Sequence, residues 1–139
     1  MDAGTLEAAG WASLEVGGFT GFAGAYWWRG AGSEAAIGFI AGEHHGNHIG
    51  TVHGGMLMTF ADVALGFGVV QALGAPRCAT VQLTTQFIAT AKLGEFITCR
   101  PEVIRQTDQL VFVRGLICVG DKVVASADGI WKVLRSAPG

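Results

Sequence analysis

The longest apolar stretch of the chain runs from Gly54 to Ala75 and carries a single charge, Asp62. Met56, Leu57, Met58, Phe60, Val63, Leu65, Phe67, Val69 and Val70 fall on every side of a 3.6-residue repeat. The pattern predicts one helix over about residues 54–73, apolar all round and therefore buried all round. Gly66 and Gly68 weaken that helix and point to close packing against a neighbour. Beyond it the period switches to two. "CATVQLTTQFIA" (78–89) sets Val81, Leu83, Thr85 and Phe87 on one face and Thr80, Gln82, Thr84 and Gln86 on the other. "GEFITCRPEVIRQ" (94–106), "QLVFVRGLICV" (109–119) and "KVVASADGIWKVL" (122–134) complete four strands. Their short connections predict antiparallel hairpins, with Pro101 at an edge or a bulge. Upstream, "FAGAYWWR" (22–29) and "EAAIGFIAG" (34–42) read as two strands joined by the turn "GAGS".

The order is then strand, strand, helix and four strands. Nothing else in the chain is available to cover an all-apolar helix, so one long antiparallel sheet must wrap it. That is an α+β, hotdog arrangement. With 139 residues the chain is expected to form one domain over 1–139, the first ten residues being a loose or helical extension.

Composition removes several function classes. The net charge is −2 and no basic run of five or more residues exists, so the counterion-releasing stripe of a nucleic-acid binder is missing. "MDAGTLEAAG" has neither a basic n-region nor an apolar h-region, which predicts no signal peptide. Cys78, Cys99 and Cys118 are an odd number at wide spacing with no CxxC, and reduced thiols in a cytoplasmic protein are expected. The apolar run is long enough to span a bilayer. Its glycines, the unflanked ends and the cost of Asp62 in hydrocarbon, about 2.5–3.5 kcal/mol, argue against membrane insertion. Charged residues make up only 14% of the chain, which suggests that copies of the chain cover part of the surface.

Candidate chemistry gathers in "HHGNHIGTVHGGMLMTFADVALG" (44–66). All four histidines, His44, His45, His48 and His53, lie in its first ten residues. Zinc accepts such ligands, but no HExxH or similar spacing is present and no metal site is expected. His44, His45 and His48 read as loop residues, solvated or bonded to the backbone. His53-Gly54-Gly55 stands where the chain turns into the helix, whose first amides lack intrahelical partners. Gly54 and Gly55 let a ligand approach the backbone, and such amides can stabilise an oxyanion in acyl transfer. Asp62, alone among apolar residues, is either a hydrogen-bonded structural group or a general base or nucleophile. Gly54 and Asp62 are eight residues apart on one helix, about 12 Å along its axis. One carbonyl cannot touch both, so if they cooperate they come from two chains related by a two-fold axis.

The motif Asn47-x-x-Gly50-x-x-His53-Gly54-Gly55, followed by Ala61-Asp62, resembles the signature of hotdog-fold acyl-CoA thioesterases of the PaaI-like, phenylacetate-pathway type. "ATVQLTTQFIATAKLGE" is similar to that family's strand and turn after the helix, and the resemblance covers about residues 44–134. It implies hydrolysis of the thioester of an acyl-coenzyme A, with coenzyme A part of the substrate and no separate cofactor. It implies that Asp62 is the catalytic carboxylate, that the Gly54 amide polarises the carbonyl, that Asn47 and His53 hold thioester or water, and that the Thr80 hydroxyl assists. It also implies sites built across a homodimer, with pairs of dimers forming a homotetramer. Gly55 is expected to border the bound ligand. The "TAKLG" turn is less basic than in many relatives. Lys92 is its candidate for the coenzyme A phosphates, with a solvated turn lysine as the alternative. Phe60, Phe67, Trp27 and Trp28 are either core or the lining of a pocket for an aromatic or medium-chain acyl group. The competing function is a non-catalytic acyl-CoA-binding hotdog domain, which would not need Asp62.

Overall fold

In the computed structural model, which describes residues 1–135, α1 (Ala3–Ala8), β1 (Ala12–Leu14), α2 (Gly18–Ala23), β2 (Tyr26–Arg29) and β3 (Ala36–Ile40) precede the long helix α3 (Gly54–Leu73). β4 (Cys78–Phe87), β5 (Phe96–Cys99), β6 (Glu102–Gln106), β7 (Leu110–Val119) and β8 (Lys122–Val133) follow it. The strands form one eight-stranded sheet in the order β1-β2-β3-β5-β7-β8-β4, with β6 pairing to β7 off that path. Every pairing is antiparallel. The sheet curls around α3 as a hotdog fold requires.

Several boundaries differ from the sequence reading. Phe22 and Ala23 belong to α2, not to a strand, because Gly24 interrupts the apolar run and β2 begins only at Tyr26. β1 is too short for its alternation to show, and the "GAGS" turn is a 3-10 turn over Gly32–Glu34. Five strands, not four, follow α3, because Pro101 cannot donate to the ladder and splits 94–106 into β5 and β6. Both halves still pair with β7, so Pro101 marks a corner. β4 and β5 are not a hairpin: β4 pairs with β8 at one edge, and residues 88–95 carry the chain across to β3.

The core lies between α3 and the concave face of the sheet. Met56, Leu57, Phe60, Ala61, Ala64, Leu65, Gly68 and Val69 are buried. Phe60 is fully enclosed and packs on Phe39 (ring centroids 4.8 Å apart) and, stacked, on Tyr26. It is therefore a core residue rather than pocket lining. The expectation of burial on every side fails. Met58 is 44% exposed and Thr59, Asp62, Val63 and Gly66 are only half-buried, because one sheet layer covers one flank of a helix. Gly68 has the packing role its position suggested, since a Cβ there would stand 2.6 Å from the Pro101 Cβ. Gly74 ends the helix in the left-handed conformation (φ 74°), its N–H donating to the Val70 carbonyl. By length and composition α3 is the one helix among the described residues that could cross a membrane. Here it is the helix at the centre of the sheet.

Candidate active site

The start of α3 is organised by its own N-cap. His53 is extended (φ −61°, ψ 137°), its carbonyl accepts from the Met56 and Leu57 amides, and its Nδ1 accepts from the Gly55 N–H at 2.7 Å. An Nδ1 that accepts leaves the neutral ring its proton on Nε2. The cap therefore takes up the Gly55 amide and leaves the Gly54 N–H without a hydrogen bond among the described residues. Gly54 is the one open donor of this turn, and a Cβ there would touch the ring of Phe87 on β4 at 3.5 Å.

Asp62 lies two turns further on, on the half-buried flank that faces β4. Its Oδ1 accepts a hydrogen bond from the Thr80 hydroxyl at 2.7 Å. Strict alternation would turn Thr80 away from α3, together with Gln82, Thr84 and Gln86. A β-bulge reverses this: Thr80 pairs with Trp131 and Gln82 with Ile130, so Val81 is the extra residue. The bulge aims Thr80 at the helix, on the same side as Phe87. Cys78 stands close by. Burial first, and the Asp62 charge second, push its thiol up from the ordinary range.

Asn47 does not contact Asp62. Its Oδ1 accepts from the Ile49 and Thr51 amides, each at 3.0 Å, and its Nδ2 donates to the Thr51 hydroxyl at 2.8 Å. It pins a loop that Gly50 (φ 82°) allows to turn, and one amide hydrogen remains for a ligand. Lys92 is bridged by its backbone to Thr51, so the "TAKLG" turn lies against this loop. The exposed ammonium makes no ion pair among the described residues, while the Lys92 amide donates to Glu95 Oε1.

The histidines separate as their environments dictate. His45 is 5% exposed; its Nδ1 accepts from the Gly42 amide and its Nε2–H meets the Ala23 carbonyl. Burial foremost, with His44 adding to it, holds its pKa below the ordinary value, against the opposing hydrogen bond to Ala23. The His44 ring lies tilted against it (ring centroids 3.8 Å apart), and His48 is exposed. No group of three or more potential metal ligands exists among the described residues.

Two cavities flank α3. The larger, about 1230 Å³, lies at the C-terminal end of the helix beside Gly68 and Gln71 and holds none of the candidate residues. Two of its arginines are already paired, Arg100 with Glu34 and Arg114 with Glu102, each at 3.2 Å. The smaller, about 790 Å³, opens at the helix start and is lined by Phe19, Phe22, His44, His53, Gly55, Met56 and Thr59 among others. Phe19 and Phe22 escaped sequence reasoning. Their only signal is two aromatic residues among the glycines of "GGFTGFAG", with no period to place them. Trp28 and Phe67 pack on each other and line neither cavity (ring centroids 6.4 Å apart).

The family model described as Thioesterase superfamily matches residues 49–126, more than half of the chain. The Pseudomonas aeruginosa protein named "Putative esterase PA0474" is 34% identical over 90 residues, covering 64% of this chain and 67% of its own. A Bacillus halodurans protein, BH2602, solved with CoA, superposes with a TM-score of 0.67 at 25% identity, covering 74% of this chain and 69% of its own. The phenylacetic acid degradation protein PaaI of Thermus thermophilus shares the fold, with a TM-score of 0.68 at 19% identity over 94% of this chain and 99% of its own.

Proposed function

The chain belongs to the thioesterase superfamily, and from that premise we propose that it hydrolyses the thioester of an acyl-coenzyme A. One observation carries the assignment of the chemistry. A carboxylate fixed by a hydrogen bond from Thr80 stands on the half-buried flank, beside β4, of the same helix that begins with an open amide. Asp62 takes a proton from water as the hydroxide attacks the carbonyl carbon, or attacks that carbon itself to form an anhydride that water then opens. The Gly54 N–H stabilises the oxyanion. The C–S bond breaks, the coenzyme A sulfur takes a proton, and a carboxylic acid is released. Thr80 is a positioning residue that acts through Asp62. His53 holds the helix start so that Gly54 stays free, and Asn47 holds the adjoining loop. Lys92, in the turn bridged to the Thr51 loop, is the cation assigned to the coenzyme A phosphates, and Gly55 borders the ligand cavity. The coenzyme A bound to the Bacillus relative supports this choice of substrate. Three free thiols fit work in the cytoplasm.

The same reading calls for a dimer. Gly54 and Asp62 sit on one uninterrupted helix, about 12 Å apart along its axis. β4 is a ten-residue open edge whose Val81 and Phe87 are 59% and 55% exposed, a surface that favours pairing with another chain. Within one chain Thr80 touches Asp62 and Phe87 lies beside Gly54, so the midpoint of that pair falls between Leu83 and Thr84. A second β4 added antiparallel about this midpoint sets Thr80 opposite Phe87 of the partner subunit. Asp62 of one chain then approaches Gly54 of the partner subunit, which gives two composite sites.

Thioester cleavage across a panel of acyl-coenzymes A, with wild type, Asp62→Asn and Asp62→Ala, tests the chemistry. Loss of about 10²-fold or more in kcat with the fold intact is expected. Unchanged turnover removes Asp62 from the reaction, and tight binding without turnover by wild type favours the non-catalytic binding domain. Mixing inactive Asp62→Ala and inactive Asn47→Ala subunits should restore some activity. No recovery despite demonstrated subunit exchange excludes a site shared between chains.

A further inference from the structure

The cavity at the start of α3 has an unusual outer wall. α2 carries Phe19 and Phe22 on it, and these rings are 70% and 84% exposed. The rest of its lining includes His53 and Gly55 of the helix start, with Met56 and Thr59 one turn on. α2 itself is weakly held. It has six residues, none buried, and its Gly17 N-cap makes no side-chain hydrogen bond. Gly18 is left-handed (φ 62°), a conformation that a side chain rarely adopts. At the other end Gly24 passes directly over the Tyr26 hydroxyl; a Cβ at Gly24 would lie 3.1 Å from that oxygen. Tyr26 is 1% exposed and its hydroxyl has no partner. In this position α2 leaves two aromatic rings in water and covers an unsatisfied hydroxyl. Both are unfavourable, and apart from the His45 hydrogen bond to the carbonyl of its last residue, Ala23, few buried contacts oppose movement.

We propose that Phe19 and Phe22 form a movable wall of the acyl-binding chamber and set which acyl groups the site accepts, favouring large apolar ones. The inference rests on the thioesterase reading and deepens it. The occupant is the acyl group rather than the nucleotide end of the substrate, because no lysine or arginine among the described residues lines the cavity and the wall that α2 supplies is two phenyl rings. The cavity is continuous with His53 and Gly55, beside the open Gly54 amide, so a carbonyl held there leads its apolar tail toward α2. When an apolar acyl group fills the chamber, the rings lose water on its surface. An acetyl group is too short to reach them.

The test compares acetyl-, octanoyl- and benzoyl-coenzyme A in wild type, Phe22→Ala and Phe19→Ala/Phe22→Ala. Ile104→Ala, an exposed apolar change elsewhere, is the control. Removing one ring from contact with a bound group is expected to cost about tenfold in the kcat/KM ratio of octanoyl to acetyl substrate, chiefly through KM. The double variant should lose more, and the control should keep the wild-type ratio. Equal losses on all three substrates, or an unchanged ratio, overturn the inference. So does a shift to smaller oligomers in sedimentation, which would assign the rings to a contact between subunits. Calorimetric binding of octanoyl-coenzyme A against coenzyme A alone, in an Asp62→Asn background, separates this inference from the reaction. If wild type cleaves no thioester yet Phe22→Ala abolishes the preference for the acylated ligand, the reaction is wrong and the chamber stands. If the preference survives Phe22→Ala, the chamber is wrong whatever the enzyme does.

Discussion

Replacing Thr80 by valine removes one hydroxyl and little else. Valine keeps the β-branched shape that a strand favours, so β4 and its bulge should form as before. What disappears is the 2.7 Å hydrogen bond to Asp62, an ordinary length for a hydroxyl donor and the long end of the range for one donating to a carboxylate. Bonds to charged groups are worth about 1.5–3 kcal/mol, and this pair lies at the low end because Thr80 is exposed and Asp62 half-buried in the single chain. About 1.4 kcal/mol of lost positioning is a tenfold fall in kcat. Asp62→Asn alone should lose about 10²-fold or more. On the proposed mechanism Thr80 acts only through Asp62, so Thr80→Val/Asp62→Asn should be about as slow as Asp62→Asn alone. The assay is steady-state release of coenzyme A thiol by the four proteins, with thermal melts to show equal folding. Losses that multiply, to about 10³-fold in the double variant, would refute the reasoning, because Thr80 would then contribute independently of the carboxylate.

Three further outcomes are expected. Gly68→Ala gains helix propensity but sets a Cβ at 2.6–2.7 Å from Pro101, so overpacking of about 1–3 kcal/mol should prevail and lower Tm by several degrees; an unchanged or raised Tm would sink the packing argument. The pKa of His45 is held below its ordinary 6.5, so above that pH the ring is neutral in both folded and unfolded chains. As pH falls through 6.5 the unfolded chain gains a proton that the folded one resists, and stability drops; Tm followed from about pH 7 to about pH 5 should fall less steeply in His45→Gln, and equal slopes would count against this linkage. Gln82→Lys/Thr84→Lys places four like charges about the proposed centre of β4 pairing. Sedimentation should show dissociation together with lost activity, and an intact, active dimer would rule out that register.

Much of this molecule is written in local pattern. The 20-residue α3 appears over the predicted span, because an unbroken apolar run between Gly-Gly and Gly74 permits little else. The hotdog wrap follows from that helix's need for cover, and the paired motif of His53-Gly54-Gly55 and Asp62 is visible as spacing alone. The upstream elements were less legible. Glycines in 17–24 hid a helix, and β1 has only three residues to show an alternation.

Other features depend on contacts that no local period encodes. Apolar residues on every side of α3 predicted burial on every side, but burial depends on what the rest of the chain can reach, and one sheet reaches one flank. Alternation turned Thr80 away from the helix; the single extra residue at Val81 inverts the face, and a bulge is set by pairing with β8, not by β4 itself. The choice among the first amides of α3 was likewise settled in space, where the His53 ring closes on Gly55 and leaves Gly54 open. The sequence by itself determined which residues can do chemistry and that a helix must be wrapped to present them, because residue type and periodicity are local. Only the tertiary structure decided which way Thr80 points and which flank of α3 stays uncovered, because each depends on a partner distant in the chain.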